Sequence, residues 1–376
     1  MTPDDRARLL QQIWWAGVQA VRGDASVAHA LDHAPIPRPD LILAVGKAAV
    51  AMAKPAFARF GPVRTLAITK HDHSEPGLGF EVLEAAHPVP DASSLAAGAR
   101  LLAEVQAAPL GSHLLLLVSG GASALVEAPR PSVTLDDIMA LNRDLLASGK
   151  DIATMNALRT KVSQIKGGGL LDHFRGARVT VLAVSDTRGD LIETIGSGIG
   201  LCRPRVGLVQ ETRIVASNTV ARLAAVACAQ ELGLEVRHTA ETLYDDVAAC
   251  ADLMASDLGA PGLYLWGGEP TVVLPPNPGR GGRNQALALR MARVIQGRDD
   301  ISVLVAGTDG SDGPTNAAGG LVGGATWADA AAAALIAADS GSFLKQRGAL
   351  FITGPTGTNV MDLALALRTQ SGPPAI

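Results

Sequence analysis

The sequence predicts an α/β protein of two domains, and three observations carry that expectation. Continuous apolar runs of strand length, such as Leu41 to Val45 and Leu114 to Val118, alternate with longer stretches of helical spacing. Hydrophobic residues make up 48% of the chain and aromatics only 3%, with 41 glycines as punctuation, which suits small aliphatic cores between many turns better than a β-sandwich. At 376 residues the chain is long for one domain, and the GAPG turn at 259–262 is the best boundary, dividing it into 1–258 and 259–376.

The elements follow in order. Thr2 can cap a first helix with Pro3 in its opening turn, and Leu10, Ile13, Trp14, Gly17 and Val18 keep helical spacing, so the tryptophans read as core. Leu41 to Val45 ends in Gly46 and Lys47 before a helical stretch. In open α/β sheets ligands gather at that end of the strands. Lys47 therefore has the reach and compact charge for a phosphate, a snorkelling surface lysine being the alternative. Strands at 65–69 and 81–86 precede KHDHS and HPVPDASS, where Asp91 or Ser93 can cap the next helix. His71, Asp72 and His73 could hold a metal or form a plain polar loop, and His87 sits in a rigid turn.

Leu114 to Val118 runs straight into Ser119, Gly120, Gly121, Ala122 and Ser123, a hydroxyl- and glycine-rich turn suited to phosphate or carboxylate oxygens. The segment GASAL lacks the last glycine of a nucleophile elbow, and no Walker loop occurs. Arg159, Lys161 and Lys166 then precede a triple glycine. Val179 to Val184 ends in Ser185 and Asp186, with Asp190 four residues on; carboxylates so placed can hold Mg²⁺ beside a phosphate chain, helix capping being the competing use. GSGIG at 196–200 is not a dinucleotide fingerprint, because the third glycine comes one residue early and no strand abuts it.

A further β-α-β stretch spans 213–238, with Ser217 and Asn218 capping its helix, and a helix is expected over 242–258. Next come a strand at 262–266, Gly267, Gly268 and Glu269, and a short strand at 271–274. A loop carrying Arg280 and Arg283 leads into a helix over 284–294. Backbone N–H groups at a helix N-terminus and two guanidinium forks suit an anion; a tight turn with solvated arginines is the other reading. A strand at 301–305 leads to a loop bearing Asp309 and Asp312, without the glutamate of a calcium loop. A helix at 327–338 and strands near 350–352 and 363–367 complete the chain.

The net charge is −4 and no basic stripe is interleaved with aromatics, which argues against a nucleic-acid surface. The acidic N-terminus and the lack of any membrane-length apolar window argue against a leader or an anchor. Three widely spaced cysteines read as reduced and buried, hence a cytoplasmic protein.

The blocks AVGKAA, HPVPDASS, LVSGGASALVEAP, SQIKGG, AVSD followed by GD, GGEPTV, GRGGRNQ, AGTDGSDGPT and TGPTGTNV occur in an order that resembles the class II glycerate 2-kinases with a C-terminal MOFRL domain, from about Leu41 to Leu367. The resemblance implies a Rossmann-like N-terminal domain, a smaller α/β C-terminal domain and an active site in the cleft between them. It also implies ATP-dependent phosphorylation of D-glycerate, chiefly to 2-phosphoglycerate, with Mg²⁺. Lys47 matches the family's essential lysine, and Arg283, with Arg280 as the other choice, its arginine. Members often carry a hydroxypyruvate reductase name, and an NAD(P)H-dependent reductase and a non-catalytic ligand-binding relative are the alternatives.

The segment SDTRGDLIETIGSGIG departs from the family's usual pattern at Arg188, Leu191, Ile199 and Gly200, as do Gly169 and Asn316 in their blocks. The catalytic residues expected are Lys47, Arg283 and Asp186, with Asp186 and Asp190 as metal ligands. Ser119, Gly120, Gly121, Ser123, Lys166, Gly268, Glu269, Arg280 and Asp309 form the expected substrate- and phosphate-binding set. A small hydroxy acid and a nucleotide are the expected partners, with neither nucleic acid nor membrane, and a homodimer is admitted.

Overall fold

The computed structural model describes residues 1–147 and 152–370. It resolves into two compact units: one comprises Val21–Ser217 with Gly357–Asn359, the other Met1–Ala20, Asn218–Thr356 and the chain from Val360 onward.

Helix α1 (Pro3–Ala20) opens as the sequence predicts. The Thr2 hydroxyl accepts from Asp5 N at 3.1 Å and the Asp5 carboxylate accepts in return from Thr2 N, a reciprocal cap. This helix belongs to the unit formed by the C-terminal half of the chain. Leu10, Ile13 and Trp14 are fully buried, and Arg6, 2% exposed, reaches the Ser302 hydroxyl and the Asp299 carbonyl.

The unit Val21–Ser217 carries α2 (Gly23–His33), β1 (Leu41–Val45), α3 (Ala49–Phe60), β2 (Arg64–Lys70), β3 (Glu81–Ala85), α4 (Ala92–Ala107), β4 (His113–Val118), α5 (Ala122–Leu125), α6 (Leu135–Ala147), α7 (Ile152–Val162), α8 (Gly169–Asp172), β5 (Arg178–Val184) and β6 (Val209–Ala216). Its strands form one all-parallel sheet in the order β3-β2-β1-β4-β5-β6, the doubly wound Rossmann order. Both faces of such a sheet are covered, which is why β1 is apolar throughout and β4 is apolar after His113. Asp91 caps α4, accepting from Ser93 N and Ser94 N, while the Ser94 hydroxyl accepts from Asp91 N. The strand order reverses between β1 and β4, and the loops carrying Lys47 and Ser119 to Ser123 leave the sheet there.

The other unit adds α9 (Asn218–Glu231), β7 (Val236–Leu243), α10 (Val247–Asp257), β8 (Gly262–Gly268), α11 (Arg283–Val294), β9 (Ile301–Gly307), β10 (Gly319–Gly323), α12 (Ala330–Ile336), α13 (Ser340–Gln346), β11 (Leu350–Phe351) and β12 (Asp362–Arg368). Its sheet runs β11-β10-β9-β12-β8-β7; β7 and β8 are parallel and the other four pairings antiparallel. A core of Trp266, Leu287, Leu289, Met291, Val303, Val305 and Leu344 lies under this sheet.

Several expectations change. The boundary near 258 does not separate the packed units, because β7 pairs with β8 and α9 packs on α1, placing 218–258 with the C-terminal sheet. The helix expected over 242–258 starts at Val247, with Asp246 accepting from Ala248 N at 2.8 Å; the residues before it finish β7. The strand expected at 271–274 shrinks to an isolated bridge between Thr271 and Asp246, since Pro270, Pro275 and Pro276 cannot donate to a ladder. Strand β10, GGLVG, gave no alternating signal. It is held by pairing with β9 and β11, and glycine permits the close approach, since a side chain at Gly319 would overlap the Val305 carbonyl. All three cysteines are free, but only Cys250 is buried.

Candidate functional site

In the Val21–Ser217 unit the turns at the switch point are knitted together. Lys47 N donates to Gly120 O at 2.9 Å, Ser119 N to Val45 O at 2.9 Å, and Ala48 N to the Ser119 hydroxyl at 3.0 Å. Ser119, 1% exposed, therefore ties β4 to the turn after β1. Gly46 (φ 129°) is needed because a side chain there would overlap Ser119. A Cβ at Gly121 (φ 83°) would lie 3.1 Å from Lys47 Cγ and 3.2 Å from the His87 ring, so this glycine, the lysine and the histidine meet. A Cβ at Gly120 would overlap the Asp186 carboxylate and approach Asn359 Nδ2 at 3.1 Å. The two glycines thus keep open a backbone cradle rimmed by Lys47, His87, Asp186 and Asn359.

Asp186 leaves the C-terminal end of β5. Burial pushes its carboxyl from the ordinary 3.8 up to about 6, against the pull of Lys47. Asn359 Nδ2 donates to its Oδ2 at 3.4 Å. The segment that delivers Asn359 is anchored in the same unit: Gly23 N donates to Gly357 O at 3.2 Å, and the Thr358 hydroxyl to Val21 O at 2.5 Å. The sequence reading passed over Asn359; its presence inside the TGPTGTNV block was the available signal. Asp190, in a turn with φ 54°, is half-buried.

Ser123 pairs with the Ser197 hydroxyl at 2.7 Å, and Ser197, in a left-handed conformation (φ 57°), donates to Asn156 Oδ1 at 2.8 Å. The GSGIG glycines lie against the triple glycine, with Gly167 N on Ser197 O and Gly168 N on Gly198 O, both 2.8 Å. Lys166 is not in the cradle. Its ammonium, 2% exposed, is enclosed with the Glu127 carboxylate, so the phosphate contact expected of it gives way to a buried ion pair. His71, Asp72 and His73 do not gather round one point: among the described residues no three His, Cys, Asp or Glu side chains converge as a metal site.

In the other unit the GRGGRNQ block opens α11, and its N-terminus already holds an anion. Asp312, 3% exposed, accepts from Asn284 N at 3.1 Å and Gln285 N at 2.8 Å. Burial pushes its carboxyl up to about 6, opposed by those two N–H groups. The glycines admit the neighbours: a side chain at Gly282 would overlap Asp312, and one at Gly281 would lie 2.7 Å from the Ser340 hydroxyl. Arg280 contributes its main chain, its N donating to Asp339 Oδ1 at 2.8 Å, and its side chain is exposed.

Arg283 donates from Nε to Asp362 Oδ2 at 2.6 Å and from Nη2 to Oδ1 at 3.2 Å, while Nη1 lies 3.0 Å from Glu269 Oε1. Burial opposes its charge, but Asp362, Glu269 and Asp312 more than offset that and hold the guanidinium protonated above arginine's ordinary range. Gly268 (φ 137°) ends β8, where a Cβ would come 2.5 Å from Leu243 O. Asp309 folds back in a turn, accepting from Ser311 N at 2.9 Å. Asp312 and Asp362 are the site residues the sequence reading did not assign.

These features define a class: a Rossmann-order unit with a lysine and a backbone cradle at its switch point, joined in one chain to a mixed-sheet unit with an arginine opening a helix. Residues 9–222 match the family described as domain of unknown function DUF4147, and residues 262–362 match the MOFRL family. The chain belongs to this two-part DUF4147–MOFRL family. It is 34% identical over 414 residues to a D-glycerate 2-kinase of Thermotoga maritima, covering 97% of this chain and 99% of that protein. A relative from Agrobacterium vitis with a provisional hydroxypyruvate reductase name is also 34% identical, covering 96% of this chain and 94% of the relative. The crystal structure of a Thermotoga maritima glycerate kinase superposes with a TM-score of 0.87 at 32% identity, covering 97% of this chain and all of that one. Among the described residues no helix is long and apolar enough to cross a membrane.

Proposed function

We propose that this chain is an ATP-dependent glycerate kinase, transferring the γ-phosphoryl group to the 2-hydroxyl of D-glycerate or of a closely related small hydroxy acid. The observation that carries this reading is the cradle at the switch point, where Lys47, two glycines and a carboxyl of raised pKa meet, in a chain whose relatives include named glycerate kinases over nearly their full length. Phosphoryl transfer asks little covalent chemistry of a protein; it asks for positive charge at the phosphate oxygens and a positioned hydroxyl.

On this reading Lys47 and the backbone of Gly120 and Gly121, with Ser119 fixing the turn, take the nucleotide's phosphates. Asp186 orients the accepting hydroxyl and receives its proton as the oxygen bonds to phosphorus and the bond to ADP breaks. A carboxyl near pH 6 is matched to that task at neutral pH. Arg283 serves the transferred phosphate or the acid's carboxylate, with Glu269, Arg280, Gly268 and Asp309 ranking behind it. Mg²⁺, when bound, would neutralise phosphate charge. Mg²⁺ in kinases is commonly held by one or two carboxylates together with the phosphates. Asp190 would serve there, or Asp186 in place of its role toward the hydroxyl, and one or two carboxylates suit that arrangement better than a resident cage.

A reductase reading finds no support in the turn after β1, which reads V-G-K-A-A and not the glycine triad of a dinucleotide site. The test is a coupled assay for ADP formation with D-glycerate and Mg-ATP, run beside NAD(P)H oxidation with hydroxypyruvate. Glycerate-dependent ADP is the expected result; hydride transfer without ADP would overturn the assignment.

A further inference from the structure

Asp362 opens β12, which lies between β9 and β8, and it is 1% exposed. It takes the Nε–Nη2 edge of Arg283, and Nη1 lies 3.0 Å from Glu269 Oε1. A guanidinium has five N–H groups. Asp362 engages two of them along the side edge, and the end edge, formed by Nη1 and Nη2, is the one whose paired geometry suits a phosphate or carboxylate. Asp362 is itself held by its backbone. Asn218 Nδ2 donates to the carbonyls of Val360 and Asp362, each at 3.0 Å, and Asn218 Oδ1 accepts from Arg222 Nε at 3.0 Å. Glycines close the arrangement: a Cβ at Gly267 would overlap Asn218, and one at Gly307 would lie 3.2 Å from Asp362 Oδ1.

We propose that Asp362 is a positioning residue that fixes the roll of the Arg283 guanidinium, so that the end edge is presented to an anionic group of the substrate or nucleotide. The proposal rests on the reading of Arg283 as the anion-contacting arginine. A solvated arginine samples many rotamers, whereas one clamped along its side edge by a buried carboxylate is oriented before the ligand arrives.

A double-mutant cycle on full-length protein tests it, with glycerate-dependent ADP formation and thermal melting as readouts. Arg283→Lys keeps the charge and loses the fork, and should cost about 100-fold in kcat/KM. Asp362→Asn keeps the shape and loses the clamp, and should cost about 30-fold in the wild-type background but under about threefold in the Arg283→Lys background. Should Asp362→Asn show no cooperative melt, Gly307→Ala, whose Cβ would lie 3.2 Å from Asp362 Oδ1 and 2.8 Å from the Ser311 carbonyl and which keeps the carboxylate's charge, carries the test, the Arg283→Lys background separating the effect on the carboxylate from that on the loop. It should cost about tenfold in the wild-type background and little in Arg283→Lys. Full turnover in Arg283→Lys overturns the reading of Arg283 itself. Loss in Arg283→Lys, with Asp362→Asn either fully active or impaired by one factor in both backgrounds, overturns the positioning role alone.

Discussion

The turns that carry Lys47 and Arg283 look alike in sequence, each a cation beside glycine where a helix begins, yet the fold gives them different partners. Helix α3 begins at the Lys47 turn without a side-chain cap, and the Ser119 hydroxyl takes only one backbone donor nearby. Asp186, pushed up to about 6 by burial and pulled back by Lys47, carries the same value as Asp312 and is mostly ionised near pH 7. At Arg283 the helix N-terminus is occupied by Asp312, and Asp362 and Glu269 grip the side chain. A glycine-rich turn with a cation is therefore no anion site by itself. The N–H groups of residues 46–49 are taken by Ile68, Gly120, Ser119 and Gly46, so the Lys47 turn brings its charge to the glycines at 120 and 121. At the Arg283 turn Asp312 takes the N–H groups of Asn284 and Gln285 and Asp362 takes one edge of the guanidinium.

The largest expected effect falls on the first turn. Lys47→Met should lower turnover by about three orders of magnitude with the melting temperature nearly unchanged, because the lysine is half-buried and its loss leaves no cavity in the core. Near-normal turnover would remove Lys47 from the mechanism.

Lys166→Met distinguishes a structural cation from a functional one. It leaves Glu127 buried and unpaired and should cost about 3–5 kcal/mol in denaturant unfolding. A variant of unchanged stability and lost turnover would instead restore the phosphate-binding role.

Asp186→Asn should separate activity from stability. The fold raises this carboxyl from 3.8 to about 6, so the native state binds the proton more tightly than the unfolded chain does, and stability is lost as pH rises from about 4 through 6. The variant should match the wild type near pH 4 and exceed it at pH 7, by up to about 3 kcal/mol, with turnover sharply reduced. Equal melting temperatures across that range would show that the carboxyl titrates normally.

The smallest effect belongs to Arg280→Ala. Only the main chain of Arg280 is engaged, so stability should move by under about 0.5 kcal/mol and turnover by less than about threefold. A large loss in steady-state kinetics would make Arg280 the key arginine in place of Arg283.

Most of the first unit could be read directly. Parallel strands buried on both faces are mostly apolar, so β1, β4 after His113 and β5 toward its C-terminal end stood out as apolar runs, and the residues after them were candidates by position alone. Thr2 and Asp91 announced their helices because capping is local chemistry. The strand at 319–323 and the true start of α10 were hidden, since glycine carries no periodic signal and β7 reaches Leu243 only by pairing with β8.

By itself, then, the sequence determined the α/β class, the run of strands and helices, the lysine and glycine turns, and the likeness to glycerate 2-kinases, because each rests on neighbours a few residues apart. Tertiary structure decided which charges meet. Asp312 caps a helix from 28 residues away, Asp362 clamps Arg283 from 79, Asn359 reaches Asp186 from 173, and Glu127 takes Lys166 from 39. An ion pair or a remote cap leaves no period and no fixed spacing in a chain; it exists only once folding has brought the two residues together and removed the water between them.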